Sequence, residues 1–95
     1  MSTVSDVVDN AQRHRLELNV DGHLAHLDYT DDGGVLTLVH TEVPDELGGR
    51  GLGGVLVQAG LAKALAGNRR LVPQCPFAKS WLDKHPDAAA DVELG

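Results

Sequence analysis

Apolar and polar positions alternate strictly from His14 to Val20, with Leu16, Leu18 and Val20 on one side and Arg15, Glu17 and Asn19 on the other. Asp21-Gly22 follows, the dipeptide of a two-residue type I′ turn, so a β-hairpin is predicted. The returning strand, His23 to Tyr29, sets Ala25, Leu27 and Tyr29 against Leu24, His26 and Asp28, and Asp31-Asp32-Gly33-Gly34 ends it. Val35 to Val39 is apolar on both faces, the pattern of a central strand covered by helices on both sides, and it delivers His40 at its far end.

From residue 52 the period changes. Leu52, Val55, Leu56, Ala59, Ala62 and Ala66 recur at steps of three and four, with Gln58 and Lys63 outside, which predicts an amphipathic helix stopped by Gly67-Asn68. Leu71-Val72 is a short strand that the helical crossover should leave parallel to the strand before it. Pro76 suits a first helical position, Phe77, Trp81 and Leu82 form the apolar side of a short second helix, and His85-Pro86 closes it. Residues 1–10 read as a frayed end or edge strand and 88–95 as a tail without pattern. The fold class is therefore α+β (α/β): an antiparallel meander, then helix, strand and short helix.

Between the two periods lies the densest glycine stretch, with Gly48, Gly49, Gly51, Gly53 and Gly54 inside seven residues. A glycine within a helix costs about 1 kcal/mol relative to alanine, so bare backbone is needed here for another reason. Such a loop lets an anion approach the main chain, where successive N–H groups and the positive end of the helix dipole favour phosphate.

Ninety-five residues predict one domain over 1–95, burying roughly two thirds of its unfolded surface, with room for one core and one cleft. One Trp, one Tyr and one Phe leave the core to Leu, Val and Ala. The net charge of −6, with its eight Lys and Arg scattered, disfavours nucleic acid. The single Cys forms no internal disulfide, and no long apolar run or leader-like segment stands out, so a cytoplasmic location without membrane attachment is expected. His23 and His26 point to opposite faces of their strand, the other three histidines are scattered, and no metal is expected.

Arg50-Gly51-Leu52-Gly53 after a strand resembles the acetyl-CoA loop of GCN5-related N-acetyltransferases, in which Gln or Arg is followed by two residues, Gly, one residue, and Gly or Ala. Gly51 and Gly53 match the small positions, and the first position falls on Gly48. His40-Thr41-Glu42-Val43-Pro44, Cys75-Pro76-Phe77 and His85-Pro86-Asp87 are similar to the minimal single-domain branch of that family. The resemblance implies a splayed sheet forming a CoA cleft, with pantetheine against the main chain of Val39, Thr41 and Val43. Pyrophosphate would lie on Gly48, Gly49, Arg50, Gly51, Leu52, Gly53 and Gly54.

It also implies acetyl transfer from acetyl-CoA to an amine acceptor by a monomer or weak dimer. His40 is the candidate base, and Cys75 the candidate nucleophile or acid at a helix N-terminus. Each has a plainer reading, His40 as a hydrogen-bonded core-edge residue and Cys75 as packing. Glu42 and Asp45 rank below His40 as bases. Arg50 is expected to meet a phosphate, Arg69 and Arg70 to be a solvated face, and Phe77 and Trp81 to be core. The alternatives to an enzyme of this kind are a non-catalytic CoA-binding module and a thiol hydrolase using Cys75 with His85 or His40.

Overall fold

Meander, crossover and a covered face. The computed structural model describes residues 3–95. Its five strands are β1 (Val8–Asn10), β2 (Arg15–Val20), β3 (His23–Asp31), β4 (Val35–Glu42) and β5 (Arg70–Pro73). They form one sheet in chain order. Two helices, α1 (Leu52–Ala66) and α2 (Pro76–Lys84), follow β4 and β5, and short 3-10 turns lie at Val4–Asp6, Asp45–Leu47 and Pro86–Ala89. The β2–β3 hairpin turns at Asp21 and Gly22, both at positive φ (53° and 80°), as a type I′ turn requires. β1 to β4 pair antiparallel and β4 to β5 pair parallel across α1, as the crossover predicts.

Alternation sorts the sheet into two unlike faces. Leu16, Leu18, Ala25, Leu27, Tyr29, Leu36, Leu38 and Leu71 are buried and join residues of both helices in one core. The intervening Glu17, Leu24, His26, Asp28, Val35 and Thr37 are only half-buried. The expectation that β4 is covered on both faces is therefore corrected: its second apolar side, including Val39 at 36% exposure, stays open, and β4 is fourth of five strands. β-Branched residues such as Val35, Thr37 and Val39 suit a half-shielded pleat as well as a buried one, which is why the run did not reveal the open side.

α1 buries Leu52, Leu56, Val57, Ala59, Gly60, Leu61 and Ala64, whereas Ala62 and Ala66, expected inside, are exposed. Alanine marks a helix face poorly because it carries little apolar area. Gly60 is where the helix nears β4: a Cβ there would lie 3.1 Å from Leu38 Cδ2.

Two further expectations change at the chain ends. The tail is docked, with the Leu71 N–H donating to Glu93 O (2.8 Å), the Gly95 N–H to Leu71 O (2.8 Å), Leu94 bridging Leu71, and Ala89 buried. Arg69 is not a solvated residue, because its Nε donates to Asp31 Oδ1 at 2.7 Å in a half-buried ion pair, and Arg70 pairs with Glu93 at 2.7 Å. At the other end β1 forms the expected edge strand; Asp9 accepts from the Tyr29 hydroxyl and from Lys63 Nζ (2.6 Å), tying β1 to β3 and α1. Met1 and Ser2, part of that expected N-terminal segment, lie outside the described residues.

Candidate active site

Two irregularities coincide on β4. Its pairing with β5 runs from Val35↔Arg70 to Leu38↔Pro73 and stops, although β4 itself continues to Glu42. The last tie is the Cys75 N–H, which donates to Leu38 O at 2.8 Å. Toward β3 the register shifts at the same place: Tyr29 pairs with Leu38 and Asp28 with His40, so Val39 is the extra residue of a β-bulge. A bulge bends its strand and re-aims the side chains beyond it. Thr41 consequently faces the covered side opposite buried Leu27, and His40 faces the open side opposite Asp28. From Val39 onward the β5 side of β4 has no strand partner.

The chain then enters the glycine loop. Leu47 anchors it at 1% exposure, Gly49 (φ 79°) and Gly51 (φ 72°) take left-handed conformations, and Gly51 caps α1. The Gly48 N–H donates to Asp45 O (3.0 Å), but among the described residues no acceptor takes the N–H of Gly49, Arg50 or Gly51. The first-turn N–H groups of Leu52, Gly53 and Gly54 have no intrahelical acceptor either. These donors border a cleft of about 340 Å³ lined by Val43, Pro44, Leu47, the loop glycines, Phe77 and Trp81.

Both rings line the cleft: Phe77, expected as core, is 44% exposed, whereas Trp81 is half-buried and packs against the core as expected. A Cβ on Gly53 would lie 2.6 Å from Phe77 Cζ, and one on Gly54 2.5 Å from Trp81 Nε1. A side chain at either position would therefore push a ring aside, whatever the loop binds. His85 holds Trp81 from the far side, its ring stacked at 4.2 Å and its Nδ1 2.9 Å from Trp81 O. Leu52 is buried and belongs to the cleft lining. Arg50 turns away, with Nη1 donating to Asp21 Oδ2 at 2.9 Å in an exposed pair.

Cys75 caps α2 ahead of Pro76 and is 3% exposed. Its Sγ lies 3.3 Å from Thr41 Oγ1. Burial pushes the thiol up, but the Thr41 hydroxyl and the N–H groups of Ala78, Phe77 and Thr41 outweigh it and bring it below the ordinary thiol value. The two α2 N–H groups act here through proximity, since neither makes a well-formed cap bond. Thr41 was predicted only as a main-chain contact for the ligand. Its side-chain role had no signal in the sequence, because 34 residues separate it from Cys75.

The open side of the bulge has different chemistry. The His40 side chain is 60% exposed, with Nε2 3.9 Å from Glu42 Oε2. Glu42 also lies 3.4 Å from His26 Nε2, and His26 Nδ1 is 3.0 Å from Asp28 Oδ1. His40 is therefore no core-edge residue, and it shares no face with Cys75. Asp45 sits apart, exposed, in the turn after β4. Among the described residues no group of three or more His, Cys, Asp or Glu has the geometry of a metal site, and no helix is long and apolar enough to cross a membrane.

Comparison with known proteins agrees with this arrangement. A family model described as GCN5-related N-acetyl-transferase matches residues 15–92. The chain is also similar to the NMR solution structure of a GCN5-like protein from Staphylococcus aureus proposed to be an N-acetyltransferase. That likeness has 31% identity and a TM-score of 0.71, over 100% of this chain and 92% of the other. No curated protein matches. With the family model spanning most of its length, the chain belongs to the GCN5-related N-acetyltransferases, enzymes that move an acetyl group from acetyl-CoA to an amine.

Proposed function

We propose that this chain acetylates an amine through Cys75, with acetyl-CoA held on the covered side of the sheet and the amine arriving from the open side. The observation that carries the reading is that β4 loses its β5 partner at Leu38, the residue to which Cys75 is tied, just before the loop whose N–H groups have no acceptor. The fit to CoA rests on those donors. The main chain of Val39, Thr41 and Val43 suits the amide-bearing arm, and the N–H groups of Gly49 to Gly54 at the start of α1 suit the phosphates. Gly48 contributes shape, its N–H being taken. Arg50 can leave its exposed pair with Asp21 for a phosphate, since such pairs are worth about 1 kcal/mol or less.

Bound acetyl-CoA supplies a thioester carbonyl. Cys75, biased toward thiolate by Thr41, forms a bond to that carbonyl carbon as the C–S bond to CoA breaks, and the thiol proton leaves with CoA. His40 takes a proton from the incoming ammonium on the other side of the splay. The freed nitrogen then attacks the acetyl group on Cys75, and its second proton returns to the sulfur. The stretch of β4 beyond the end of β5 is where the two sides would meet.

The test is acetyl-CoA with a panel of amines, following thiol release and acetylated products. Amine-dependent release with an acetylated amine is expected. Tight CoA binding without release for any amine would leave a non-catalytic binding module. Full turnover by Cys75→Ser would replace the acetyl-cysteine route with direct attack.

A further inference from the structure

The open face beside the bulge carries a feature that acetyl transfer through Cys75 does not use. Residues opposite one another on β3 and β4 are His26 with Glu42 and Asp28 with His40, so acids and imidazoles alternate both across and along the strands. His26 stands at the centre of the group with its side chain 16% exposed, and both ring nitrogens face carboxylate oxygens, Asp28 Oδ1 at 3.0 Å and Glu42 Oε2 at 3.4 Å. The Asp28 contact is a hydrogen bond that fixes the ring, and it leaves Nε2 aimed at Glu42 within ion-pair distance. Glu17, opposite His26 on β2, does not compete, because Arg15 Nε (2.6 Å) and Asn10 Nδ2 (3.3 Å) already occupy it.

Glu42 is the consequence. Its side chain is 63% exposed, and its Oε2 lies between His26 Nε2 (3.4 Å) and His40 Nε2 (3.9 Å). The 3.9 Å to His40 is too long for a hydrogen bond, but it sets the carboxylate beside Nε2, where a ring hydrogen is electrostatically preferred over a lone pair, leaving Nδ1 as the nitrogen without hydrogen. We infer that His26 is a positioning residue for acetyl transfer: clamped to Asp28, it holds the Glu42 carboxylate beside His40 and so sets the tautomer in which His40 takes the amine's proton.

The inference rests on the acetyltransferase reading, and its test has one arm that does not. Imidazole ¹⁵N shifts of His40, which report tautomer, are compared between the native protein, His26→Phe and His26→Gln. Native His40 should favour Nε2–H, His26→Phe should move toward a mixture, and His26→Gln, whose amide can donate to Glu42, should restore the native balance. In turnover with a competent amine, His26→Phe should lower kcat on the order of tenfold with CoA binding unchanged. Glu42→Gln should do the same, and the double variant should lose no more than either single one. An unchanged His40 tautomer in a folded His26→Phe, or losses that multiply in the double variant, overturns the inference. If no amine is turned over by the native protein, the acetyl-transfer reading fails while the tautomer comparison still decides the role of His26.

Discussion

On one side of β4 Thr41 touches a thiol that is 3% exposed, and on the other side the adjacent His40 has a side chain 60% exposed among carboxylates. An unbroken strand would also send neighbours to opposite faces. The bulge at Val39 falls where the pairing with β5 ends, between the residue tied to Cys75 and His40. The covered side carries N–H groups without acceptors and is walled by Phe77 and Trp81, which suits a long phosphorylated thioester. The open side is wet and bears alternating charges, which suits an amine that must lose a proton. In the proposed reaction, this one local defect in the sheet would keep the two reactants on separate sides until they meet.

Substitutions that break the covered side should have the largest effects. Gly53→Glu should abolish CoA binding in calorimetry, because its Cβ collides with Phe77 before its carboxylate repels phosphate, and overpacking of that kind costs about 1–3 kcal/mol of stability. Cys75→Ala, which keeps the fold, should lower kcat by roughly 100-fold or more while CoA affinity stays close to native. On the open side, His40→Ala should slow turnover about 10- to 100-fold at neutral pH, also without weakening CoA. Equal losses in affinity and turnover would instead make His40 structural.

Smaller effects sharpen the comparison. Thr41→Val removes the first of the groups that lower the Cys75 thiol, so the pH profile of iodoacetamide alkylation should move upward; an unmoved profile would assign the lowering to the main-chain N–H groups of α2 and Thr41. Away from the site, burial raises the Asp9 carboxyl, but the Lys63 and Tyr29 hydrogen bonds outweigh it and hold it below 3.8. A depressed carboxylate stabilises the fold above its unfolded value and loses that contribution as pH falls through the folded one. Asp9→Asn should therefore lower the melting temperature slightly at pH 7, a stability loss of less than about 1 kcal/mol, and the deficit should shrink as pH falls through the folded carboxyl's lowered value.

Much of this was legible beforehand. The hairpin followed from strict alternation around Asp21-Gly22, the parallel β5 from the crossover, and the loop from its glycines. The bulge was not, since Val39 and His40 carry no glycine or proline and their register is decided by partners on β3. Nor was the cleft wall: Phe77 and Trp81 read as an apolar helix side, and only their approach to Gly53 and Gly54 shows that the glycines serve the rings as well as the ligand. The docked tail escaped notice because its ties at Glu93 and Gly95 are main-chain bonds. His40 and Cys75 were singled out by residue type, which could not show that they face opposite ways.

That opposition is the centre of the account, and successive NMR titrations test it most directly. CoA added first should shift the amides of Gly49 to Gly54 and the Trp81 indole while leaving the rings of His26 and His40 nearly unmoved, and an accepted amine added next should then shift His40. Shifts at His40 and His26 on adding CoA, with the glycine loop silent, would contradict it.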